Sequence, residues 1–110
     1  MPTRYRIRWA EAALQDLESI VDSITAHEGV PSASRVADAI FERANALEHQ
    51  PDRGRIVPEI REVGIVDYRE LIEGPYRICY RVHGRDVASV AVLDGRRDLD
   101  RILVDRAMGR

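Results

Sequence analysis

The sequence predicts an α+β fold: an N-terminal strand, an antiparallel helical hairpin, then a three- to four-stranded antiparallel sheet. Three observations carry this prediction. Residues 3–9 alternate arginine with apolar or aromatic side chains, the period of a strand with one buried face. Two later stretches repeat apolar residues at three- and four-residue steps and are separated by Gly29 and Pro31. After residue 66, three short runs are punctuated by Gly74-Pro75 and Gly84-Arg85, pairs that suit tight hairpin turns.

In the first strand Arg4, Arg6 and Arg8 face one way and Tyr5, Ile7 and Trp9 the other, so the arginine face is expected in solvent. From Ala10 the period lengthens. Ala13, Leu14, Leu17, Ile20, Val21 and Ile24 form one stripe of an amphipathic helix that ends near Gly29, where glycine suits the C-cap. Pro31 fits the first turn of a second helix, which carries Ala33, Val36, Ala37, Ile40, Phe41, Ala44 and Leu47 and ends before Pro51. A link of three or four residues forces the two helices to run antiparallel.

Residues 51–55 have turn chemistry, and residues 56–59 are expected to cross extended because Pro58 disfavours a central strand. Strands are predicted at 68–73, 76–83 and 86–93. A glycine leading each two-residue link favours a type II′ turn. On the middle strand Tyr76, Ile78, Tyr80 and Val82 share the face expected against the helices. Arg77, Cys79 and Arg81 share the other, expected to be the more exposed. Ile102, Leu103 and Met108 suggest a short terminal helix or arm.

At 110 residues the chain suits one domain spanning residues 1–110. No apolar run approaches the roughly 18 residues needed to span a bilayer, and the N-terminus lacks an export signal core, so a cytoplasmic location without membrane contact is expected. The lone Cys79 excludes an internal disulfide, and His27, His49 and His83 are too scattered for metal-ligand spacing. Neither metal nor cofactor is expected. All 17 cationic residues are arginine, a permanently charged planar fork suited to carboxylate or phosphate. Five arginines stand against eight acids up to Gln50, and twelve against eleven after it, so the positive charge gathers with the sheet. A net charge of -2 and a pI near 5.9 are far from those of a dedicated nucleic-acid binder.

No nucleophile motif, phosphate loop or catalytic acid–base pair is evident, so no catalytic residue is assigned. The candidate target-binding residues are Arg69, Arg77, Arg81, Arg96, Arg97 and Tyr68, all on or beside the predicted hairpins. The ordinary alternative for each arginine is a solvated strand face with salt bridges to Glu70, Glu73, Asp86 or Asp94.

Four segments in order, WAEAALQDLESIVDSI, HQPDRGRIVPEI, YRELIEGPYRICYRV and VLDGRRDL, resemble the ParE/RelE superfamily of type II toxin–antitoxin toxins over nearly the whole chain. The resemblance implies a toxin neutralised by a cognate antitoxin. Within the superfamily, RelE-like members are ribosome-dependent ribonucleases and ParE-like members poison DNA gyrase, so fold alone does not choose. Arg77 matches the RelE-like middle-strand arginine and Arg97, or Arg96, the closing one, while Arg69 suits a basic position of the first hairpin strand. The next basic position falls on Leu71, no tyrosine or histidine follows Leu93, and Asp94 stands where ParE-like sequences often carry histidine. GRIVPE followed by YRE and GRRD is closer to ParE. The resemblance therefore implies a gyrase inhibitor of the plasmid-stabilization type. Its partners would be a ParD-like antitoxin in a hetero-oligomer, DNA gyrase, and DNA within the gyrase complex. The alternatives are a RelE-type mRNA interferase and a non-toxic, partner-binding member of the fold.

Overall fold

A computed structural model describes residues 4–95, 102, 105 and 106. Strand β1 (Arg6–Trp9) leads into the hairpin of α1 (Glu11–Glu28) and α2 (Val30–Asn45), followed by a 3-10 turn (Ala46–Glu48). Then come β2 (Arg55–Ile56), the one-turn helix α3 (Pro58–Arg61), and the meander β3 (Tyr68–Glu73), β4 (Tyr76–His83) and β5 (Asp86–Asp94). The fold is α+β in the predicted order.

The helical hairpin turns on Gly29, whose φ of 93° lies where side-chain-bearing residues are strained. Its N–H closes α1 by donating to the Thr25 carbonyl, and Pro31 occupies the first turn of α2, where no N–H is needed. Gly74 and Gly84 have positive φ and the residue after each does not, as a type II′ turn requires.

The five strands lie in the order β1-β5-β4-β3-β2. Neighbours in the meander are antiparallel, whereas β1 runs parallel to β5 with Arg6 opposite Asp86. One face packs on the helices through Leu17, Ile40, Leu47, Leu71, Ile78, Tyr80, Val87 and Val92, with Tyr5, Ile7 and Trp9 against them. Trp9 meets Phe41 edge to face at 4.9 Å. The arginines of β1 are exposed, as their alternation predicts.

Four expectations are corrected. The helices are joined by the single residue Gly29 rather than by a link of three or four, and Val82, expected against the helices, is exposed. Residues 56–59 do not cross as one extended segment. Arg55 and Ile56 pair with β3, after which Pro58 starts α3, a position that tolerates its missing N–H. The second face of the meander is not an open surface either. Val57 and Ile60, with Tyr68, Cys79, Ala91 and Leu93, form a second buried cluster against which Ile65, Val90 and Ile102 pack. Arg77 and Cys79 are consequently buried rather than exposed. In the C-terminal segment Ile102, Asp105 and Arg106 are helical, while Leu103 and Met108 lie outside the described residues. None of the described helices is long and apolar enough to cross a membrane.

Candidate functional site

One candidate residue, Arg77, lies where α3 and the first half of the meander meet. Strand pairing places Ile72 opposite Arg77 and Glu70 opposite Cys79, so Glu70 and Arg77 are diagonal neighbours on the second face. Arg77 donates from Nε and Nη2 to the two oxygens of Glu70, at 2.5 and 2.8 Å. It also donates from Nη1 and Nη2 to the two oxygens of Glu59 on α3, the latter at 2.9 Å. One guanidinium therefore bridges two carboxylates, each held at both oxygens. Glu70 accepts a further bond from Arg55 Nε at 2.7 Å, which brings two arginines and two glutamates together with no net formal charge.

The electrostatics follow from this geometry. Hydrogen bonds from Arg77 hold the Glu59 carboxyl below its usual range, and those same bonds raise the Arg77 guanidinium well above its own. A carboxylate kept ionised in this way is a poor proton donor at neutral pH, and an arginine is no base. Burial pushes the Cys79 thiol up to about 12, so it carries little thiolate at neutral pH.

On the opposite face, Tyr80 anchors the loop before β2. Its buried hydroxyl accepts from the Gly54 N–H and donates to the Pro51 carbonyl, both at 2.8 Å, and burial raises its pKa. A Cβ on Gly54 would lie 2.6 Å from both the Glu70 carbonyl oxygen and the Tyr80 hydroxyl, so the close approach requires glycine. Arg69 donates from Nη1 to the Gly54 carbonyl at 2.7 Å. The segments GRIVPE and YRE thus close on one another in space through Gly54, Arg55, Glu59, Arg69 and Glu70.

Of the six candidates from sequence, Arg77 lies in the carboxylate bridge on the second face, whereas Arg69 lies on the opposite face at Gly54, so strand alternation separates the two. Tyr68 is buried, and the Arg81 guanidinium lies over its ring, 5.8 Å from the centroid. That distance is within cation–π range. Arg96 and Arg97 lie outside the described residues. Sequence reasoning named Glu70 as a salt-bridge partner, though on a solvated face rather than a buried one, and missed Glu59, which ends the quoted GRIVPE. Among the described residues no group of three or more potential metal ligands occurs.

The family model for the ParE toxin of the type II toxin–antitoxin system parDE matches residues 7–99. Among solved structures, the chain resembles one described as the chromosomal ParDE toxin–antitoxin system of P. aeruginosa, at 22% identity and a TM-score of 0.68, over 82% of this chain and 95% of that one. It also resembles a chain of the RelBE2 toxin–antitoxin complex of Mycobacterium tuberculosis, at 22% identity and a TM-score of 0.62, over 86% of this chain and 94% of that one. At such identity both likenesses concern the fold. No curated protein matches the chain in sequence.

Proposed function

The chain belongs to the ParE toxin family of type II toxin–antitoxin systems, and from that premise we propose that it poisons DNA gyrase and is neutralised by a cognate ParD-like antitoxin. The observation that favours gyrase over RNA cleavage is the state of Arg77. Cleavage through a 2′-hydroxyl requires a base, an acid and a cation ready to meet the growing phosphorane charge. In this chain the middle-strand arginine spends its fork on Glu59 and Glu70. Its charge is already cancelled, and the adjacent carboxylates would repel a phosphate.

Arg69, Arg81, Arg96 and Arg97 remain as cations for acidic groups on gyrase or for DNA phosphate in the cleavage complex, with the Tyr68 ring supporting Arg81. Arg77 acts behind them by holding α3 to the sheet. The antitoxin partner is supported by the two similar solved structures, each described as a toxin–antitoxin system or complex.

Induction of the chain without its antitoxin tests this. A DNA-damage response with cleaved chromosomal DNA and intact messages is expected. Cut messages and arrested translation over an intact chromosome would make it an mRNA interferase instead. Neither effect would leave a partner-binding module.

A further inference from the structure

The covering of the second sheet face is partial. Toward the β3–β4 turn, α3 packs over it, and Arg55, Arg77, Glu59 and Glu70 cancel one another in charge. Toward the β4–β5 turn the side chains reach solvent. Strand pairing sets Tyr68, Arg81, Ala88 and Arg8 in one row across β3, β4, β5 and β1, and His83, Asp86 and Arg6 in the next. Arg6, Arg8 and His83 are exposed, with Arg81 and Ala88 half-buried. Arg8 and Arg81 flank the small Ala88 from two strand spacings apart, about 10 Å, and Arg6 stands roughly 7 Å from Arg8 along β1.

Asp86 is the one carboxylate of these two rows. Arg6 and Arg8 both approach its Oδ1 through Nε, at 2.8 and 3.3 Å, yet their side chains remain 65% and 60% exposed. Arg81 lies over the Tyr68 ring, and no carboxylate among the described residues pairs with it. Three arginines thus face one acid, a local excess of positive charge in a chain whose net charge is -2.

This surface offers charge without an apolar anchor. Tyr68 is only 5% exposed, so its ring is closed to an incoming group. Protein partners draw most of their binding energy from aromatic and aliphatic anchors, and single-stranded nucleic acids stack their bases on exposed aromatic rings. A duplex backbone requires neither, because its phosphates are met by cations alone.

We propose that Arg6, Arg8 and Arg81 form a binding face for the phosphodiester backbone of duplex DNA, acting without gyrase. The β1 arginines have no part in the gyrase reading, and the face holds DNA whichever target the chain has. Three phosphate contacts make the binding weak, independent of sequence and dependent on salt.

The test is fluorescence anisotropy of a labelled duplex of about 20 base pairs titrated with the full chain. Three contacts predict a roughly fortyfold loss of affinity between about 50 and 200 mM salt. Arg6→Gln, Arg8→Gln and Arg81→Gln should each lower the slope of log affinity against log salt by about one. Arg35→Gln, on α2 beside Ser32, should leave that slope unchanged. Ala88→Glu, which sets a carboxylate between Arg8 and Arg81, should abolish binding. No binding at the lower salt overturns the proposal, as does a slope that the three β-sheet substitutions leave intact. A single-stranded RNA of equal length bound as tightly as the duplex also overturns it. So does a polyglutamate peptide that displaces the duplex at equal charge, which would assign the face to an acidic protein. If the substituted chains do not fold, the Arg81 and Ala88 amide resonances of the unsubstituted chain decide. Shifts on adding duplex support the face, and none at saturating duplex overturns it. Failure here leaves the gyrase reading standing, since that is read from DNA damage on induction.

Discussion

Arg77 and Glu70 stand diagonally across the β3–β4 pair and share two hydrogen bonds, with the Glu70 side chain fully excluded from solvent and that of Arg77 10% exposed. Removing one partner of such a pair strands a charge in the interior, which costs far more than the pair contributes as a unit.

Arg77→Met should therefore destabilise the fold by about 3 kcal/mol, because it leaves Glu70 with Arg55 alone. Glu59→Gln should cost less, about 1 kcal/mol, since the Glu59 side chain is 37% exposed and water can replace its partner. Urea unfolding of both variants checks the order. Equal losses would show that α3 depends on Glu59 as strongly as the sheet depends on Arg77.

The same bridge sets a pH dependence. The folded Glu59 carboxyl titrates below its ordinary value of 4.5, held there first by its hydrogen bonds to Arg77. Folding thus gains stability from Glu59 that is fully present above pH 4.5 and is lost as pH falls through the lower folded value. The stability difference between the unsubstituted chain and Glu59→Gln should be flat above pH 5 and shrink in more acidic solution. A difference that grows on acidification would overturn the assignment.

Gly54→Ala should cost about 2 kcal/mol, because the added methyl meets the Glu70 carbonyl and the Tyr80 hydroxyl in a region that has no slack. Tyr80→Phe keeps the ring and removes the hydroxyl that joins Gly54 to Pro51, at a cost of about 1–2 kcal/mol. Since both substitutions loosen one loop, their combined effect in chemical denaturation should fall short of additivity.

Cys79 is fully buried, and its thiol stays protonated up to about pH 12. A thiol-specific reagent at pH 8 should leave it unmodified in the native chain and label it once the chain is unfolded in urea. Prompt labelling of the folded protein would mean that the second sheet face opens readily.

Much of this architecture was legible because its signals are local. The 3.6-residue stripe of α1, the Gly29 and Pro31 boundary, and the glycine-led turns each act within a few residues. The parallel pairing of β1 with β5 was not legible, because no local pattern links residues so far apart. The four-residue helix α3 is too short to show a period, and Val57, Ile60 and Ile65 look like isolated apolar residues until they cover β4. That covering explains why Arg77 and Cys79 were expected in solvent. An arginine alternating with core residues ordinarily marks an exposed face, and only the positions of Glu59 and Glu70 make its burial affordable. Both glutamates were present in the motifs that carried the family resemblance, but their role emerges from contact rather than spacing.

The pairing of Arg6 with Asp86 also bears on how the molecule is born. At roughly 5–20 residues per second, a ribosome needs several seconds to add the 80 residues that separate them. Throughout that interval the N-terminal strand has no edge to join. Its apolar face, with Ile7 and Trp9, waits for β5 to be made. The helical hairpin can form early from neighbouring contacts, while closure of the sheet is a late event with high contact order. Fragments from synthesis interrupted before β5 therefore lack a completed sheet, and competence of the fold arrives only with that strand.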